Sequence, residues 1–168
     1  SSQPTRRSDM KFSAEVKQLP ERNVACVRHI GPYNQIGRAI GRIFAWAEPK
    51  GLVQFPKTQC LAVYHDDPCT VDASELRSDA CLTVPEGTKT DGDVQTMKIP
   101  GGVFAVAHVE IDPSEFGDAW DKLVGEWMPS KGYASDNSRL CYELYLNDHE
   151  QHPERKFIVD ICEPVRKA

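Results

Sequence analysis

Apolar and polar residues alternate in short runs along most of the chain, and two stretches of three-and-four spacing interrupt them. Phe12 to Leu19, Val24 to Ile30, Gln59 to His65 and Ala80 to Val84 read as strands, and so do Val94 to Ile99, Val103 to Ile111, Leu140 to Leu146 and Phe157 to Cys162. In the first helical stretch Ile36, Ala39, Ile40, Ile43, Phe44 and Ala47 share one face, and the expected end is near Pro49 with Gly51 just beyond. In the second, Phe116, Trp120, Leu123, Val124 and Trp127 form the stripe, Asp112 or Ser114 offers a cap, and Gly132 terminates. Gly37 and Gly41 weaken the first helix, which suggests close backbone packing, approach by a ligand, or simple tolerance.

The order of elements is strand, strand, helix, strand, strand, twice over. Residues 24–84 align on residues 105–165 at a constant offset of 81 with no gap, and eleven of the 61 pairs are identical, Trp46/Trp127, Gly51/Gly132, Cys60/Cys141 and Tyr64/Tyr145 among them. The expected fold class is therefore α+β: a tandem duplication of a ββαββ unit, giving two antiparallel four-stranded sheets, each with one helix. Tight turns at Pro20 and at Pro100–Gly102 predict that the first two strands of each unit form a hairpin. The boundaries are 11–84 for unit one, 85–93 for a linker of turn-forming and charged residues, and 94–165 for unit two, with 1–10 a disordered linker or tag remnant.

A formal net charge of −5 without a basic run gives no electrostatic support to nucleic-acid contact by this segment. No apolar run is long enough to span a membrane and no signal peptide opens the chain, so the expected compartment is the cytoplasm. The six cysteines include the repeat-matched couples Cys60/Cys141 and Cys81/Cys162; they read first as small buried hydrophobes, with a disulfide or a metal as alternatives. No cofactor motif is present: the segment Gly31 to Gly37 lacks the lysine and serine of a phosphate loop, and His149 and His152 lack metal-ligand spacing.

Matched positions differ most sharply at Ala62 against Glu143. Cys141, Glu143 and Tyr145 share one strand face within the otherwise apolar run Leu140 to Leu146, where an unpaired carboxylate would be costly. Three readings stay open for Glu143: a solvated sheet face, a structural hydrogen bond, or a ligand-facing acid among aromatic residues, which suits a lipophilic cation. Tyr33, Tyr64, Phe104, Trp120 and Tyr145 are the aromatic candidates, while Trp46 and Trp127 read as core; Trp120 stands where the first copy has Ala39.

Four segments, Val24 to Tyr33, Leu61 to Pro68, Ile99 to Val106 and Cys141 to Asp148, resemble the GyrI-like small-molecule-binding domain. That family includes gyrase-inhibitory proteins and the effector domains of AraC-type and MerR-type transcription regulators. The resemblance spans residues 10–165 and implies a pseudo-twofold pair of units with a cleft between them for hydrophobic, often cationic, compounds. It puts the pocket acid on Glu143 and the pocket aromatics on Tyr33, Tyr64, Phe104, Trp120 and Tyr145. It implies a multidrug or effector sensor more than an enzyme without excluding hydrolysis, and the residues themselves call for no cofactor and no metal. Two alternatives remain open, a hydrolase of reactive cyclopropane-containing compounds that uses Glu143, and a stand-alone gyrase inhibitor. It also leaves open a DNA-binding domain encoded before Ser1.

Overall fold

The structure, a computed structural model, describes residues 10–168. Among these residues there are nine strands: β1 (Lys11–Leu19), β2 (Arg22–Ile30), β3 (Cys60–Tyr64), β4 (Arg77–Thr83), β5 (Val94–Ile99), β6 (Gly102–Ile111), β7 (Tyr133–Ser135), β8 (Cys141–Tyr145) and β9 (Phe157–Lys167). Helix α1 (Gly37–Ala47) follows β2; α2 (Phe116–Asp121), a π-helical stretch (Lys122–Trp127) and α3 (Met128–Ser130) follow β6. The α+β duplication read from the pattern is the architecture observed, and most of the linker 1–10 lies outside the described residues. Met10 does not behave as linker; it is buried in the core beneath β6 and β9.

The chain divides into two compact units. One holds residues 20–101 with 140–142, and its sheet runs β3-β4-β2-β5, all antiparallel. Helix α1 buries Ala39, Ile43, Trp46 and Ala47 and packs on β2 and β4. The other unit holds 10–19, 102–139 and 143–168, with β6 between β1 and β9, the end of β8 on the far side of β9, and β7 pairing the tail of β9. Its core joins Ala105, Ala107, Val109 and Ile111 of β6 to Val159, Ile161 and Val165 of β9 under Ala119, Leu123 and Met128.

The expected hairpins do not form. β1 pairs with β6 over Lys11↔Glu110 to Leu19↔Gly102, and β5 pairs with β2, so each opening strand joins the sheet of the other copy. The reason lies in the connections. Two-residue hairpin loops need positive φ at the first central residue, and Pro20 and Pro100 occupy that place with φ fixed near −65°. The hydrophobic pattern of β1 suits its actual partner, since Phe12, Ala14 and Val16 pack on the core of β6 and β9 while Ser13, Glu15 and Lys17 face solvent.

The gapless correspondence of the two copies also needs correction. Between β3 and β4, Ala62 faces Ala80, and β2 sets Val27 opposite the same Ala80. In the second copy Ile161 stands for Ala80, but it faces Ala107, which is 80 rather than 81 residues after Val27. The offset is still 80 at the buried helical pairs Ala39/Ala119 and Ile43/Leu123, and reaches 81 at Gly51/Gly132, both left-handed at φ 69° and 80°. The extra residue is absorbed between those points by the π-helical stretch, since a π turn is an α turn with one residue inserted. Trp120 therefore takes the place of Ile40, not Ala39. Gly37 and Gly41 would meet nothing within 4 Å if given a Cβ, so the close-packing explanation for them fails.

Candidate functional site

Glu143 sits in the middle of β8, between the buried Tyr142 and Leu144, and is 4% exposed. Antiparallel pairing fixes its neighbours. Leu146 N donates to Ile158 O at 2.9 Å, so counting back along the hairpin sets Tyr145 against Val159 and Glu143 against Ile161. Ile161 and Val159 belong to the core under the helical segment, so Glu143 faces that segment rather than solvent. The solvated-face reading is excluded by this burial.

Both carboxylate oxygens are engaged. Trp120 Nε1 donates to Oε2 at 2.7 Å and the Tyr145 hydroxyl donates to Oε1 at 2.8 Å. These are short, charge-assisted bonds, of the kind that contributes about 1.5–3 kcal/mol each. Tryptophan can only donate, so the indole needs an acceptor here as much as the acid needs a donor. Both of these donors are neutral groups on aromatic side chains, an indole N–H and a phenolic O–H. An acid so held offers a lipophilic cation both a counter-charge and aromatic faces.

Of the six residues singled out from sequence, Glu143, Trp120 and Tyr145 meet in this cluster. Tyr33 and Tyr64 belong to the other unit, with ring centroids 4.5 Å apart. The Tyr33 hydroxyl donates to Asp66 O at 2.7 Å and accepts from Asp66 N at 2.9 Å; burial pushes its pKa up. Phe104 is fully buried but lies on the opposite side of β6 from Ala105, with the Arg139 guanidinium 5.1 Å above its ring. Trp46 is buried and donates from Nε1 to Asp91 at 2.8 Å, while Trp127 is partly buried and packs against the core.

Two acidic sites escaped the sequence reading. In the first unit Asp79, 2% exposed, accepts from Arg28 Nε at 2.7 Å and bonds His65 Nε2 at 2.5 Å. Burial pushes its carboxyl up, but the bonds to His65 and Arg28 together outweigh this and leave the pKa below the ordinary value. In the other unit Glu163 lies partly buried on β9, two residues beyond Ile161 and so on the same face as Glu143. Burial pushes its carboxyl up to about 7, against the one hydrogen bond it receives, from Ser135 Oγ at 3.4 Å. The signal for it was in the repeat: Leu82 is its counterpart, a second aliphatic residue exchanged for an acid.

Among the described residues no group of three His, Cys, Asp or Glu side chains could hold a metal ion, and all six cysteines are free thiols, four of them buried. His149 stacks on Phe157 and His152 bonds Glu110, which accounts for the histidine pair. Open, polar depressions lie on the other face of β1 and β6, around Ser13, His108 and Asp160. No described helix is long and apolar enough to cross a membrane.

Two units of antiparallel strands backed by helical segments, one of them holding a buried glutamate between aromatic donors, define an α+β fold built by duplication. The chain belongs to the GyrI-like family, whose model, described as a GyrI-like small molecule binding domain, matches residues 13–166. It is 36% identical over 133 residues to DNA gyrase inhibitor 2 of Dickeya dadantii, covering 77% of this chain and 82% of that protein. The fold is similar to the C-terminal domain of EcmrR, with a TM-score of 0.75, 22% identity and coverage of 95% of this chain and 100% of that one. It spans 58% of EcmrR in a complex with DNA, at a TM-score of 0.78 and 19% identity. It is also similar in fold to SAV2435 bound to tetraphenylphosphonium, with a TM-score of 0.59, 12% identity and coverage of 92% and 94%.

Proposed function

We propose that the chain is a small-molecule sensor whose ligands are lipophilic cations held by Glu143 between Trp120 and Tyr145. The observation that carries this is the placement of a 4%-exposed glutamate under two aromatic donors at a position the first copy fills with alanine. The fold is satisfied with Ala62, so the acid and its donors serve something other than packing. Ligand entry exchanges part of the Trp120 and Tyr145 hydrogen bonding for the ligand's positive charge, so indole fluorescence reports it directly. That SAV2435, which shares the fold, has been seen with tetraphenylphosphonium supports this ligand class.

Titration with tetraphenylphosphonium, read by tryptophan fluorescence and calorimetry, tests the reading. Glu143→Gln keeps the shape and an acceptor but removes the charge, so affinity is expected to fall at least tenfold, about 1.4 kcal/mol. Equal affinity in the variant would refute the assignment. Similarity to EcmrR is consistent with the sensing half of a transcription regulator, a role that needs a DNA-binding domain elsewhere in the protein.

One further reading has its own support, the 36% identity to a DNA gyrase inhibitor. A supercoiling assay with purified gyrase separates it from sensing, because inhibition that survives Glu143→Gln would come from the surface and not from the buried acid. The fold is nearer to the EcmrR C-terminal domain, at a TM-score of 0.75, than to a hydrolase from Listeria innocua, at 0.60 and 14% identity, which supports binding over hydrolysis. Turnover of a reactive cyclopropane compound that disappears in Glu143→Gln would overturn that preference.

A further inference from the structure

The two copies solve the same packing problem in different ways on the sheet face that meets the helix. In the first copy this face carries Ala62, Ala80 and Leu82, each at most 1% exposed, with Ala62 directly opposite Ala80. In the second the equivalent places are Glu143, Ile161 and Glu163. The sheet is therefore built perfectly well with aliphatic residues at both sites, and each carboxylate adds desolvation cost that the fold itself does not require. Glu143 has this cost offset by two short hydrogen bonds. Glu163 has only the long one from Ser135 among the described residues, and its carboxyl rises to about 7 for want of better solvation.

The two acids are diagonal neighbours on adjacent strands. Glu143 faces Ile161, and Glu163 is two residues on, a relation that spaces backbone positions by roughly 7–8 Å on one face. Long side chains at such positions reach a common ligand while keeping their carboxylates separate. The aromatic wall of Trp120 and Tyr145 stands over the first of them.

We propose that Glu163 is a specificity-determining residue of the Glu143 site, receiving a second positive charge so that the site favours flat aromatic dications over monocations of the same shape. This rests on the reading of Glu143 as the ligand-binding acid. It extends that reading from one charge to two and fixes their spacing. The dications concerned are those whose charges lie about 7 Å apart, as in a bipyridinium, matching the cross-strand diagonal.

The test uses two probes of near-identical outline, methyl viologen, a bis-pyridinium dication, and N-methyl-4-phenylpyridinium, a monocation. Affinities are measured by calorimetry at pH 8 for the wild type, Glu163→Gln, Glu163→Leu and Glu143→Gln. The wild type is expected to bind the dication about tenfold more tightly than the monocation. Both Glu163 variants should lose that preference while holding the monocation within about twofold of wild type, and Glu143→Gln should weaken both probes. Glu163→Leu restores the residue that the first copy carries as Leu82, so a folded variant is available even if the glutamine one is not. If the monocation binds through Glu143 but the dication has no advantage, or keeps it in the Glu163 variants, this inference falls and the binding reading stands. If neither probe binds the wild type, or Glu143→Gln changes nothing, the binding reading falls and this inference with it.

Discussion

Replacing Glu163 by Gln should change how the stability of the protein depends on pH, whether or not any ligand is present. The carboxyl is raised to about 7 by burial, while in the unfolded chain it titrates at its ordinary 4.5. Below pH 4.5 both states hold the proton and the group is silent. Between 4.5 and 7 the folded state keeps a proton that the unfolded state has released, so stability falls as pH rises, and above 7 the loss is complete and constant. Across pH 5 to 8 this group alone lowers stability by at most about 2.5 kcal/mol, since each pKa unit is worth 1.36 kcal/mol. Strand register sets Cys141 and, diagonally, Glu143 beside it on β8 and Ala105 opposite it on β6, and Ser135 on β7 donates its one hydrogen bond. None of these supplies a positive charge that would bring the pKa back down. Urea unfolding of wild type and Glu163→Gln at pH 5, 6, 7 and 8 isolates the effect, because every other titration cancels in the difference. The variant should gain on the wild type by about 2.5 kcal/mol over that range, or roughly 5–10 °C in Tm for a chain of this length. Two parallel stability curves would refute the reasoning, because a glutamate with an ordinary pKa produces no such divergence.

Other predictions concern the scaffold. Asp79→Ala leaves Arg28 and His65 without their shared acceptor and should destabilise the fold by about 2–3 kcal/mol in urea unfolding at pH 7. Because its pKa is lowered, the contribution of Asp79 is present above its unfolded pKa and lost as pH falls through the folded one, so the gap between wild type and variant should narrow in acid. At Gly102, φ is +136° and a Cβ would come within 2.4 Å of the Arg139 guanidinium. Gly102→Ala should cost about 1–3 kcal/mol by thermal denaturation, through backbone strain and displacement of Arg139 from the carbonyls of Val103 and Val165.

Glu143 was legible from sequence because it is the single charge in an apolar strand, and alternation alone placed Tyr145 on its face. Trp120 was legible as an unmatched aromatic, although its true counterpart is Ile40. Glu163 was not, for a local reason: Pro164 follows it, and a proline reads as the end of a strand. In the structure β9 runs on to Lys167, with Pro164 level with Phe104 and its carbonyl accepting from Asp136 N at 2.8 Å. A proline is tolerated in a strand wherever the ladder asks for no N–H at that place. The pairing of β1 with β6 was hidden for a different reason. Adjacent strands joined by a tight turn normally form a hairpin, and only the φ restriction of Pro20 and Pro100 argues against it.

The one-residue slip between the copies ties these points together. The gapless match succeeds for β3, β4, β8 and β9 because those strands keep strict register, and the slip is confined to β2, β6 and the first half of each helix. A strand cannot absorb one residue without turning every side chain to the wrong face, whereas a helix can, by widening one turn. The insertion lies after Leu123 and before Trp127, inside the π-helical stretch. It lets the first half of the second helix keep Ala119 and Leu123 on the core, with Trp120 beside them over Glu143, while the second half keeps Trp127 and Met128 in the places of Trp46 and Ala47. The copy that carries Glu143 and Glu163 is thus also the copy whose helix is locally overwide, and both departures from the plainer first copy bear on the same sheet face.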